Sequence, residues 1–88
     1  MNEGQLRARI RDLHLNGETP CPDGDEPRIW AGRGHGDHCV VCTLPIASTE
    51  TEFEVELGSG RVFRLHRGCY QLWRDECGSL LDSDVAGR

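Results

Sequence analysis

The sequence predicts a small α+β fold that its apolar core alone would hold only weakly. Three observations carry that expectation. Leu, Ile, Val and Phe together make 19 of 88 residues, close to the level of roughly 20% below which chains tend to stay disordered. Cysteine and histidine fall in two tight pairs, Cys39-Val40-Val41-Cys42 and His66-Arg67-Gly68-Cys69. Between those pairs lies a stretch with the two-residue alternation of β-structure, and helical patterns stand on either side. Small domains with thin cores usually add a disulfide or a metal ion, and the paired ligand-type residues point to the metal.

Taken in order, Leu6, Ile10 and Leu13 recur at i, i+4 and i+7 within residues 1–17, the pattern of one apolar stripe on a helix that Asn16-Gly17 ends. Residues 18–38 form a connecting arm rich in glycine and proline, in which neither a helix nor a central strand is expected. Its Ile29-Trp30 pair is expected to pin the arm to the core, with Trp30 partly buried. From Thr51 to His66 the chain reads as a hairpin. Phe53, Val55 and Leu57 alternate with Glu52, Glu54 and Glu56. A three-residue loop at 58–60 sets Val55 opposite Phe63, Phe53 opposite Leu65 and Glu54 opposite Arg64, with Gly60 in the left-handed position. A slip of one residue would mix the faces. Arg67 to Cys77 is a second helix carrying Cys69, Leu72, Trp73 and Glu76 on one side, and Gly78 is its expected cap. Residues 39–78 make the metal-binding domain and 79–88 a tail, where Leu80-Leu81 fold back and the last residues fray.

Charge narrows the partners. Fifteen acids against ten arginines, with no lysine, give −5 at pH 7. That balance disfavours nucleic acid, which needs a positive field, and an anionic membrane surface, which needs a polybasic segment. The longest apolar run is four residues, Cys39-Val40-Val41-Cys42, so no membrane span is expected. The opening MNEGQLRARIRDL lacks the apolar region of an export signal. The expectation is a cytoplasmic protein in a reducing compartment, where an odd count of five cysteines means metal rather than cross-links. Cys21 is expected as a free surface thiol and Cys77 as a packing thiol, two helical turns from Cys69 and too distant to join the same ion. His14 and His35 are expected in solvent, and His38 in solvent or beside the site. For Arg7, Arg9 and Arg11 a solvated helix face outweighs a phosphate contact, and Glu52, Glu54 and Glu56 read as the outer side of the sheet.

Cys39, Cys42, His66 and Cys69 follow C-x2-C-x23-H-x2-C. Each pair spans one turn and offers two donors, which suits one tetrahedral ion. A hairpin between the pairs brings them together, and Cys69 falls in the first turn of the second helix, where the dipole favours a thiolate. A thioredoxin-like use of the CxxC would need a βαβ setting that the glycine-rich approach and Pro45 do not supply. The order of knuckle, hairpin and helix resembles the treble-clef zinc fingers over Cys39 to about Cys77, in particular small bacterial treble-clef proteins of undefined role. The string also resembles half of a LIM domain, but that family's next cysteine would fall at position 72, which is Leu72. Thr43 stands where zinc knuckles often have glycine.

That resemblance implies a fold and a metal but no activity. Three thiolates and one imidazole fill a tetrahedron, leave no open position for water and give a zinc site of net charge −1, a poor Lewis acid. The expectation is therefore one structural Zn2+, with Fe(II) the alternative, in a chain that is not an enzyme. Its expected role is a protein-protein interaction or regulatory module, monomeric or weakly dimeric. The Leu6-Ile10-Leu13 stripe is a candidate partner face if it does not pack internally. The alternative is a nucleic-acid-binding zinc finger using Arg61, Arg64, Arg67 and Arg74 together with the arginines of the first helix.

Overall fold

The computed structural model describes residues 2–22 and 27–86, with side chains of the last helix described as far as Gly78. The elements are α1 (Glu3–Leu15), β1 (Arg28–Arg33), β2 (Thr51–Glu56), β3 (Val62–His66) and α2 (Arg67–Ala86). α1 begins in a capping box. The Asn2 side chain accepts from the Gln5 amide at 2.9 Å, and the Gln5 side chain accepts from the Asn2 amide at 3.0 Å, which satisfies two otherwise orphaned donors. It ends at Asn16, with Gly17 at φ 76°. Ile10 and Leu13 are each 1% exposed and Leu6 is partly buried. The stripe therefore packs internally and is not a free partner face.

β2 and β3 pair in the expected register, with Val55 opposite Phe63, Phe53 opposite Leu65 and Glu54 opposite Arg64. The loop closes through the Leu57 amide to the Arg61 carbonyl at 2.8 Å, and Gly60 takes φ 92°. Alternation and loop length together leave one pairing that keeps the apolar face dry.

The arm departs from expectation. Its second half forms β1, which pairs antiparallel with β2 and makes a three-stranded sheet in the order β1-β2-β3. A strand at the edge needs only one hydrogen-bonded neighbour, so it tolerates Gly32 and a proline, Pro27, just before its first residue. The register sets Trp30 opposite Glu54, on the polar side of the sheet, and Trp30 is 49% exposed rather than pinned to the core.

α2 follows β3 without an intervening residue and passes through Gly78 to Ala86. One interior glycine costs about 1 kcal/mol, too little to stop a helix supported elsewhere. The expected cap at Gly78 is thus an interior position. The fold-back of Leu80-Leu81 concerns side chains outside the described set, and of the fraying tail the backbone is helical to Ala86.

The core lies between the inner face of the sheet, α2 and α1. Trp73 is 1% exposed and meets Phe63 edge-on at 5.4 Å, while Tyr70 stacks on Phe53 at 4.4 Å. Glu76, also on the inward side of α2, is buried, and its two carboxylate oxygens accept from Arg7 Nη1 at 2.9 Å and Arg11 Nε at 2.6 Å. A charge on an apolar stripe requires such a partner, and the pair of arginines locks α1 to α2. Arg7 is thus drawn partly out of solvent, while Arg11 keeps a largely solvated side chain.

Cys21 and Cys77 form a disulfide across 56 residues of sequence. This corrects the expectation of two separate thiols. The three cysteines near the knuckle and this bonded pair account for all five, so the odd count does not exclude a cross-link. Beside the bond, the Cys21 amide faces His14 Nδ1 at 3.4 Å, which makes His14 partly buried rather than solvated.

Candidate metal centre

The knuckle is a small hairpin of its own. The Thr43 amide donates to the Cys39 carbonyl at 2.9 Å and the Cys39 amide to the Leu44 carbonyl at 2.9 Å, which tightens the Cys39–Cys42 turn. Upstream, Gly36 donates to Ile46 at 2.9 Å and Gly34 to Glu50 at 3.0 Å. A Cβ on Gly34 would stand 2.2 Å from the Ala47 carbonyl oxygen, so this approach of backbone to backbone is open to glycine alone. Thr43 adopts φ 66°, the left-handed conformation that a glycine would take freely. Its hydroxyl bonds the Cys42 carbonyl, a local compensation. The Val40 amide, donating to the Arg64 carbonyl at 2.9 Å, fixes the knuckle against β3, and Arg9 Nε of α1 donates to the Val41 carbonyl at 3.2 Å.

These ties bring the two ligand pairs together. The donor atoms of Cys39, Cys42, His66 and Cys69 all lie within 4.8 Å of one another. Four donors about 2.0–2.3 Å from a tetrahedral ion stand roughly 3.5 Å apart, so small side-chain adjustments suffice to close on a cation of that size. Cys42 Sγ and His66 Nδ1 already stand at 3.2 Å. His66 ends β3 and Cys69 is the third residue of α2, so the gapless strand-to-helix junction sets the second pair.

The ring of His66 is oriented on its far side. Nε2 lies 3.2 Å from the Pro45 carbonyl and 3.5 Å from Glu50 Oε1. An imidazole that offers Nδ1 to a metal can donate Nε2–H to that carbonyl, the outer-shell arrangement that fixes tautomer and basicity. Nothing in the spacing of Pro45 or Glu50 marks them for this role; the knuckle's return places them.

Electrostatics follow from the same packing. Hydrogen bonding from the Cys69 thiol, aided by the Cys42 and His66 amides, lowers the Cys39 pKa to about 4 against the opposing effect of burial. Cys69 is pushed far up, first by sharing its proton with Cys39 and then by burial. Burial, the largest influence on Cys42, raises it too. For His66 burial opposes the charged ring, yet the Cys39 thiolate and Glu50 hold it above its ordinary value. Of the three thiols, Cys39 is thus the one favoured as thiolate, part of the charge that a cation would meet.

The other candidate residues stand apart from this cluster. His38 pairs its backbone with Pro45, His35 is exposed near Glu52, and Cys77 is bonded to Cys21. Arg64 is engaged by Glu54 at 2.8 Å, with Glu52 and Asp37 farther out. Arg7 and Arg11 are held by Glu76 and Arg9 by the Val41 carbonyl, although the Arg11 side chain remains 60% exposed. Among the described residues no helix is long and apolar enough to cross a membrane. Compared with known proteins, the chain matches no family model, no curated protein and no solved structure. The Cys3His cluster can hold one metal ion, and the fold around it is small and α+β.

Proposed function

We propose that the chain is a treble-clef-type module held by one structural Zn2+ and that it acts by binding another protein. The convergence, among the described residues, of four soft or borderline donors on one point supports the metal reading. Three sulfurs and one imidazole suit zinc, and a set of four protein donors leaves no position for a reacting water. The site is therefore structural, and the chain is not an enzyme. The engagement of Arg7, Arg11 and Arg64 by carboxylates and the net charge of −5 support a protein rather than a nucleic acid as partner.

Native mass spectrometry with elemental analysis tests the metal. One zinc per chain, whose removal by a chelator unfolds the knuckle, is the expected result. A chain that binds no metal, or melts at the same temperature after chelation, overturns the reading. For the partner, the metal-loaded chain should retain a specific protein that the chelated chain releases.

A further inference from the structure

We infer that the groove between α1, the tip of the knuckle and the start of α2 is a docking site for a basic, leucine-bearing amphipathic segment of a partner protein. This rests on the interaction-module reading and adds the surface and the chemistry of its occupant. The groove encloses about 640 Å³ beside Cys42, His66 and Cys69. Three elements each contribute a leucine: Leu6 from α1, Leu44 from the knuckle and Leu72 from α2. Leu44 is 61% exposed although its own backbone is fixed by the Cys39 amide. An aliphatic side chain displayed on a rigid turn, over a partly buried apolar floor, is the pattern of an anchor position.

The rim is acidic. Glu3, Glu50 and Asp75 line it, and the nearby Arg7 is shared among Glu3, Asp75 and Glu76 at 3.3, 3.5 and 2.9 Å. Acids outnumber the single cation, and a site with three thiolates around one divalent ion adds a further negative charge. Such a field attracts lysine and arginine flanking an apolar stripe. It repels phosphate backbones and anionic lipid surfaces. Among the described residues, the α1 stripe of a second copy cannot be the occupant, because Ile10 and Leu13 are buried in their own core and Arg7 and Arg11 are held by Glu76.

The test uses the full metal-loaded chain and an amidated peptide of about four helical turns, with leucines on one face and lysines elsewhere. A second peptide replaces the leucines with serine at equal charge. Saturable binding of the leucine peptide at one per chain is expected, with amide shifts in the protein centred on Leu6, Leu44 and Leu72. The serine peptide and the Leu44→Gln chain should each bind roughly tenfold more weakly, and Asp75→Lys should weaken binding while leaving zinc content unchanged. Equal affinity for both peptides, shifts centred on the β1–β2 face, or wild-type affinity in both variants overturns the groove. Should Leu44→Gln lose its metal, Asp75→Lys alone decides. A loaded chain that still retains a specific protein but fails with the peptide overturns the groove alone, whereas a loaded chain that retains no protein overturns the module reading.

Discussion

At the first turn of α2, Cys69 joins Cys39, Cys42 and His66; two turns farther along the same helix, Cys77 is bonded to Cys21. The two tethers do different work. The first gathers four donors from a knuckle, a strand end and a helix start, and its geometry is built by hydrogen bonds that also orient the ligands. The second is a single bond between the arm and the middle of α2, over a core already filled by Trp73. A metal held at the first would add its binding energy to a turn already shaped by hydrogen bonds, whereas a disulfide restricts the unfolded chain.

Metal removal should therefore be the larger perturbation. Binding energy on the order of 10 kcal/mol is folding energy in small zinc domains, so chelation, or Cys39→Ser, should abolish the cooperative thermal transition seen by circular dichroism. The pH dependence has a definite sign. Cys42 and Cys69, raised above their ordinary value, hold protons at neutral pH, and Cys39, lowered to about 4, does not. Loading must displace protons from the first two, so metal affinity should fall as pH falls. Calorimetry in buffers of different ionisation enthalpy reads that release directly, and an enthalpy independent of buffer would contradict it.

Opening the second tether should cost less. The double change Cys21→Ser with Cys77→Ser removes a link across 56 residues, for which loop-closure entropy predicts about 4 kcal/mol. Urea denaturation should show that loss while zinc stoichiometry stays at one. If zinc is lost as well, the two tethers are not independent. Smaller again is Glu76→Gln, which weakens the lock between α1 and α2; an expected loss of about 1–3 kcal/mol by urea denaturation sharpens the comparison by showing what the helices hold without either tether. Smallest is Thr43→Gly. It relieves a β-branched residue at φ 66° and should stabilise the loaded knuckle by about 1 kcal/mol, read as a raised melting temperature.

The same contrast explains what the sequence reveals. Ligands two residues apart report a local turn, so Cys39, Cys42, His66 and Cys69 are legible as two pairs, and the alternation of β2 with its three-residue loop is legible down to the register. Cys21 and Cys77 have no local signature, because their meeting depends on how the arm crosses α2. β1 was hidden for a related reason. Ile29-Trp30 carries no alternation long enough to read, and the strand exists because β2 offers an edge. Gly78 misled because a glycine after a helical stripe serves equally as a cap or as a tolerated interior residue. Glu76 did leave a trace: a carboxylate on an apolar stripe asks for cations, and Arg7 and Arg11 lie on one side of α1 to meet it.

Arg7 and Arg11 reach Glu76 from the far end of the sequence. On the ribosome, Arg11 must therefore wait through a separation of 65 residues before it finds Glu76, and the knuckle must wait for Cys69. Closure follows only once Cys69 and Glu76 have been made. Until then the emerging polypeptide carries Cys39, Cys42 and the apolar stripe of α1 without the side chains that cover them.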